Sequence, residues 1–295
     1  MTEGSRRSVF NRLILAALAL MLGACSRPAE VNPALWLAEG PQGQKVWLFG
    51  TIHALPAPVQ WRSAKVDAAL KQADLLVLEV ADIGNDAGTA KAFAALAQSP
   101  GLPPLAERIE PDLRDELAVE LKDGGIGPAQ LDPYETWAAA LMLQQADSAA
   151  GASDAANGID RALAKAWSGP IAEFEGAAAQ LAIFDRLPEP QQRALLSAVV
   201  REAPRHGGET LALQTAWMRG DMDFIARTTS EEFLNHPELR DALLTGRNQA
   251  WLVQLDAILA KGARPFVAVG AAHLAGADGL PVVLDARGWK VTRLQ

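Results

Sequence analysis

Two of the four histidines in this 295-residue chain close the same short phrase, an apolar run followed by Gly-x-x-His. Val46-Trp47-Leu48-Phe49-Gly50-Thr51-Ile52-His53 stands near the start, and Phe266-Val267-Ala268-Val269-Gly270-Ala271-Ala272-His273 near the end. Apolar runs bounded by glycine read as buried strands, and the glycine lets the chain turn sharply at the carboxyl end. Each histidine then stands at the rim of a sheet. A further run, Leu75-Leu76-Val77-Leu78-Glu79-Val80, carries one acid among apolar positions, where an uncompensated carboxylate is costly. Glu79 therefore needs a cation, either at a metal or substrate site or from a buried arginine. Two imidazoles and a carboxylate are a standard catalytic set for a divalent ion with a position left open for water. Ligand type alone leaves zinc, manganese, cobalt and iron open. Each histidine also has a plainer reading, His53 as the cap of a turn beside Pro56 and His273 as the cap of a helix beginning at Ala277. His206 and His236 read as solvent-facing.

The elements that must position these residues follow from the pattern of apolar and turn residues. Leu35 to Glu39 and Lys45 to Gly50, separated by Gly40-Pro41-Gln42-Gly43-Gln44, predict a hairpin. A helix over about Arg62 to Gln72 and the strand bearing Glu79 favour a parallel pair with a right-handed crossover. From about 87 to 262 the pattern is helical, apart from a short strand candidate at Pro170 to Phe174. Pro111 opens one helix ending before Gly124-Gly125, Pro133 opens another through Ala146, and Asn157 caps a third through Trp167. Ala149 to Ala156 and Pro204 to Gly208 read as loops, and a long helix or broken pair runs from Pro237 to Lys261. Strand returns at Pro265 to Val269, then a helix near Ala277 to Ala286 and a last strand, Trp289 to Leu294. The expectation is an α/β (α+β) fold whose mixed, partly parallel sheet comes from both ends of the chain around a large helical insert. Ligands bind outside the carboxyl ends of parallel strands in such sheets. Parallel strands would bring His53, Glu79, Glu173 or Glu175, and His273 to one rim. Trp47, Trp61, Trp137, Trp167, Trp217 and Trp251 fall in apolar patterns and read as core, and Tyr134 as a partly buried anchor.

The amino-terminal segment reads as a targeting signal. Arg6, Arg7 and Arg12 flank an apolar stretch, Leu13 to Leu22, too short to span a bilayer permanently, and Leu22-Gly23-Ala24-Cys25 closes it. Residues 1–24 are expected to be a lipoprotein signal, with Cys25, the only cysteine, as the acylated first residue of the mature chain. The alternative is an ordinary secretory signal cut after Ala24. A spacer over 25–34 then leads into a single domain over 35–295. Ser26 is compatible with outer-membrane sorting, so the expected location is the cell envelope, lipid-anchored to the outer membrane and facing the periplasm. With one cysteine there is no internal disulfide, and stability must come from packing. A net charge of −8 gives no electrostatic footprint for nucleic acid.

Ordered motifs through most of the mature chain resemble the TraB/GumN family, within the superfamily that includes the Tiki proteases. Gly50-Thr51-Ile52-His53-Ala54-Leu55-Pro56 is similar to its Gly-Thr-Ile-His opening, and Leu76-Val77-Leu78-Glu79 to its strand-ending acid. Asn157-Gly158-Ile159-Asp160 resembles a central Gly-x-Asp, and Phe174-Glu175-Gly176 with Gln180-Leu181 and Leu187-Pro188 a Leu-Glu-Thr segment followed by a helix ending in Leu-Pro. Arg247-Asn248-Gln249-Ala250-Trp251 resembles Arg-Asn-x-x-Trp, and Val269-Gly270-Ala271-Ala272-His273-Leu274 the closing Gly-x-x-His. The resemblance implies that His53, Glu79 and His273 bind or work around a divalent metal (Mn, Co or Zn), with Arg247 as a polar partner. Gly176 departs from the usual threonine, and proteolysis is a property of the Tiki branch.

The leading expectation is metal-assisted hydrolysis of a peptide or amide bond. Whichever of Glu79 and Glu175 is not a ligand would serve as general base, and Arg247 would steady the developing oxyanion. Arg247 could instead be a helix arginine paired to Asp160 or Glu175. Asp160 is expected to orient a histidine, or else to be a first-turn acid favoured by the helix dipole. The competing class is a tethered protein that captures a haem, a peptide or another small ligand without turning it over, as related branches of the superfamily imply.

Overall fold

The computed structural model describes residues 31–82, 86–150, 153–202, 206–231 and 236–295. The expected signal segment and Cys25 lie outside the described residues. β1 (Leu35–Glu39) and β2 (Lys45–Thr51) form the hairpin, with Leu35 opposite Phe49 and Glu39 opposite Lys45. α1 (Ala64–Gln72) starts later than the pattern suggested because Ser63 caps it, its hydroxyl accepting from the Val66 N–H. β3 (Leu75–Leu78) ends one residue short of Glu79.

The helical stretch holds α2 (Asp86–Leu96), α3 (Arg114–Asp123), α4 (Thr136–Ala150) and α5 (Ile159–Ala166). A short strand, β4 (Ile171–Glu173), follows, then α6 (Ala177–Asp185), α7 (Glu189–Glu202), α8 (His206–Arg219) and α9 (Met222–Glu231). α10 (Pro237–Arg240) runs through a π-turn at Asp241–Thr245 into α11 (Gly246–Leu259). β5 (Pro265–Gly270), α12 (Leu280–Ala286) and β6 (Lys290–Arg293) complete the chain.

Several boundaries differ from the sequence pattern for local reasons. Pro111 opens a 3-10 turn, Pro111–Leu113, and the α-helix begins only at Arg114. The helix expected from Pro133 begins at Thr136, where the Gln192 side chain accepts the Trp137 N–H. Asn157 is not a cap: Asp154 caps a 3-10 turn over Ala155–Asn157, the Asn157 amide donates to the Leu55 carbonyl, and Gly158 precedes α5. The expected loop at Ala149 is helical through Ala150, and α8 already begins at His206. The helix placed at Ala277 starts at Leu280, because a 3-10 turn, Ala271–Leu274, comes first and contains His273.

The six strands form one sheet in the order β4-β3-β5-β2-β1-β6. β2, β5, β3 and β4 are parallel, whereas β1 runs antiparallel to both β2 and β6. The fold is thus α/β with a mixed, partly parallel sheet. β5, from the end of the sequence, lies between β2 and β3 from its beginning. Thr51 pairs with Gly270, and Leu78 with both Ala268 and Glu173, so the carboxyl ends of four neighbouring strands share one edge.

Two apolar cores hold this arrangement. One surrounds the sheet and includes Leu48, Phe49, Leu76, Val77, Phe266 and Val267, all fully buried. The other lies within the helices, around Leu117, Leu131, Trp137, Leu195 and Leu196. The helical stretch also feeds the first core through Trp217 and Trp251, and adds β4 to the sheet.

Candidate functional site

His53 leaves the rim two residues after β2, with its side chain 71% exposed to the space above the sheet. Asp160, in the first turn of α5, accepts from His53 Nδ1 at 2.8 Å and from the Thr51 hydroxyl at 2.6 Å. α5 can approach this closely because residue 158 is glycine; a Cβ there would stand 2.2 Å from the His53 carbonyl oxygen. The bond to Asp160 places the imidazole proton on Nδ1 and leaves Nε2 facing the cleft. Both the charge of Asp160 and this hydrogen bond raise His53 to about 9.

Glu79 stands directly past the end of β3 and is buried. Its Oε1 accepts from the Gly270 N–H at 2.8 Å, and its Oε2 from Arg247 at 2.7 Å and Gln180 at 3.1 Å. Burial works against its ionisation, but His273, Arg247 and His53 outweigh that and hold the carboxyl at about 2. Because His273 is neutral at pH 7, the guanidinium, the His53 cation and the Gly270 N–H hold the carboxylate there.

Arg247, from α11, joins the two acids. Its Nε and Nη2 form a fork on Glu175 at 2.9 and 2.8 Å, and Nη2 also reaches Glu79. Trp251, one turn along the same helix face, donates its indole N–H to Glu175 Oε1 at 2.9 Å and stacks on Phe174, with ring centroids 5.1 Å apart. Burial opposes the guanidinium's charge, yet Glu175 and Glu79 raise its pKa.

His273 is buried beside Trp251, with ring centroids 4.3 Å apart. Asn248 Nδ2 donates to the carbonyls of His273 and Asp278, which turns Oδ1 toward His273 Nδ1 at 2.8 Å. The ring proton is therefore on Nδ1, and Nε2 accepts from Arg247 Nη1 at 3.1 Å. Burial pushes this histidine down to about 3, and Arg247 and His53 push the same way.

These groups converge beside Gly270. A Cβ built on that residue would lie 3.3 Å from Glu79 Oε1, 3.8 Å from His53 Nε2 and 3.9 Å from His273 Cδ2. The absence of a side chain there leaves a cradle edged by an acid and two imidazoles. In kind, the donors fit a divalent cation that displaces the Nε2 proton of His53: His53 Nε2 has no protein partner among the described residues, and Glu79, Glu175 and Asp160 outnumber the guanidinium and the His53 imidazolium. In position, two donors face the cradle, while Arg247 occupies Nε2 of His273. Among the described residues no three such donors are already drawn together as a metal-binding group.

The structure thus brings His53, Glu79, Asp160, Glu175, Arg247 and His273 together. Glu173, the alternative to Glu175, does not join them; its Oε2 accepts the Ala81 N–H at 2.8 Å. Arg247 pairs with Glu175, as one reading allowed, and with Glu79, but not with Asp160. His236 is exposed before Pro237, and the side chain of His206 lies outside the described residues. Thr51, Gln180 and Asn248 were not read as site residues, and Trp251 was read only as core. Its position four residues after Arg247 is the signal that sets the two on one helix face, while Gln180 and Asn248 were marked only by standing in the motifs that resemble the family, with no role attached. Gly176, where the resemblance gives threonine, has φ of 80°, a conformation that β-branched residues resist.

A model of the TraB/PrgY/gumN family matches residues 34–293. The chain belongs to that family. The match runs from the residue before β1 to the last residue of β6, so every member of the cluster lies inside the TraB/PrgY/gumN region. No curated protein and no solved structure matches the chain.

Proposed function

We propose that this TraB/PrgY/gumN protein is a metal-dependent hydrolase of the peptidase type, lipid-anchored to the cell envelope through Cys25. The observation that carries the reading is the cradle at Gly270, where His53 Nε2, Glu79 Oε1 and the His273 ring meet within 4 Å of one point. His53 and Glu79 would hold a divalent ion (Mn, Co or Zn), with His273 added once Arg247 turns off its Nε2. When bound, the ion would supply an acidified water and polarise a carbonyl.

The protein's own groups have separable tasks. Asp160 and Asn248 each hold a proton on Nδ1, which turns both Nε2 atoms toward the cleft; on metal loading His53 would give up its Nε2 proton and His273 its bond from Arg247. The Gly270 N–H and Gln180 orient Glu79, which serves as ligand or takes a proton from the attacking water. Both oxygens of Glu175 are engaged by Arg247 and Trp251, so its task is to position the guanidinium. Arg247 then donates to the oxygen on which negative charge develops.

Metal analysis of the protein loaded with Mn²⁺, Co²⁺ or Zn²⁺ tests this, alongside turnover of a peptide library. His53→Ala and Gly270→Ala, the second placing a methyl group inside the cradle, should both lose the ion while keeping the folded spectrum. Equal metal content in wild type and both variants would overturn the reading. Peptide binding without turnover would leave the capture protein in its place.

A further inference from the structure

The cluster lies on a wall between two cavities. His53, Glu79 and Gln180 line both. The first cavity, about 500 Å³, continues between the helices over Leu141, Phe184, Leu213, Ile225, Leu243 and Leu244. Apart from the cluster's own members, no ionisable side chain among the described residues lines it. The second, about 760 Å³, carries Asp82, Asp160 and Arg161 together with Thr89 and Gln145. Arg247 and His273 face only the first, and Asp160 only the second. Each volume lies in the range of pockets that take a small ligand, or several residues of an extended one.

We infer that the site takes an extended peptide that crosses the His53–Glu79–Gln180 wall and places a large apolar side chain in the first cavity. The inference rests on the hydrolase reading and adds the class of substrate. The scissile carbonyl falls at the wall, where Arg247 reaches it from the apolar side. Leucine or phenylalanine on that side displaces water from the walls formed by Phe184, Leu213 and Ile225, and an acidic residue there is left without a partner beyond the cluster. The remaining chain passes into the second cavity, whose mixed charges accept polar residues.

The test uses the full chain and fluorescent peptides identical except at one position, which carries Leu, Phe, Ala or Asp and is moved along the peptide in turn. Binding is read by anisotropy on metal-stripped protein, and cleavage after metal loading. Leu or Phe at one fixed position should bind at least about ten-fold more tightly than Ala or Asp, the discrimination an apolar pocket gives. Leu213→Trp, which narrows the first cavity, should abolish the preference for Phe, and Phe184→Ala, which widens it, should strengthen that preference. Equal binding of all four peptides, or a preference that neither variant alters, would overturn the inference. Cleavage without preference would remove the inference and leave the hydrolase, whereas preference without cleavage would do the reverse.

Discussion

Replacing Arg247 with methionine removes the cation shared by a buried and a partly buried carboxylate while leaving an apolar stem beside Trp251. Glu79 ordinarily ionises at 4.5 and is held at about 2 in the folded protein, a difference of about 3 kcal/mol at about 1.4 kcal/mol per pH unit. Breaking one side of a buried ion pair costs about 3–5 kcal/mol in general, the same range. At pH 7 Arg247→Met should therefore lose about 3–5 kcal/mol. The pH dependence identifies the cause. In wild type the depressed Glu79 stabilises the fold above pH 4.5, and this is lost as pH falls toward 2. His273, held neutral down to about 3, stabilises the fold above 6.5, and this is lost over the interval below. Wild type should thus weaken steadily on acidification below pH 6.5. In the variant Glu79 keeps the His53 charge and the Gly270 N–H but faces the same burial without its guanidinium, so its pKa rises and acid relieves the buried charge, and His273 loses a neighbour that kept it unprotonated. The gap between the two proteins should narrow by about 1 kcal/mol or more between pH 7 and pH 4. Urea unfolding followed by tryptophan fluorescence from pH 8 to pH 4 measures it. A gap constant across that range, or below about 1 kcal/mol at pH 7, would refute the assignment of Arg247 as the counter-ion.

Other perturbations read other parts of the structure. Asp160→Asn should return His53 from about 9 toward the ordinary 6.5, followed by NMR titration of the ring proton in metal-free protein; a value that stays high would show that Asp160 is not the cause. Gly158→Ala drives a Cβ into the His53 carbonyl, 2.2 Å away, and should cost about 2 kcal/mol or more in urea unfolding. A loss under about 0.5 kcal/mol would be the ordinary surface value and would contradict the close approach. Arg108 is fully buried in the helical core and donates to the carbonyls of Asp132 and Tyr134. Arg108→Met should leave both carbonyls unpaired and cost about 2–4 kcal/mol, and an unchanged unfolding midpoint would argue against that role.

The parts of this molecule legible in the sequence are those where one local pattern decides the outcome. The glycine-bounded apolar runs gave β2 and β5, and Glu79 was marked by being the one charge in its run. That all these ends share one edge depended on four strands being parallel, which the alternation of strand and helix suggested but only β5 lying between β2 and β3 secures. The partners of the conspicuous residues were harder to see. Gln180 and Asn248 are ordinary helix residues whose importance comes from which neighbours they meet across the fold. The start of α4 depended on Gln192, more than fifty residues away, and no turn signal near Pro133 records that. Arg108 gave no signal either, because a single arginine between two acids, Glu107 and Glu110, reads as surface until the helices close over it.

The position of β5 has a temporal consequence. Until residues 265–270 are made and slotted home, β2 and β3 have no common neighbour, Glu79 lacks the Gly270 N–H, and one imidazole is missing. Long-range closure of this kind is among the slower events in folding. A nascent or truncated chain that lacks β5 therefore has no assembled cluster, and the cluster arrives in one step with that strand.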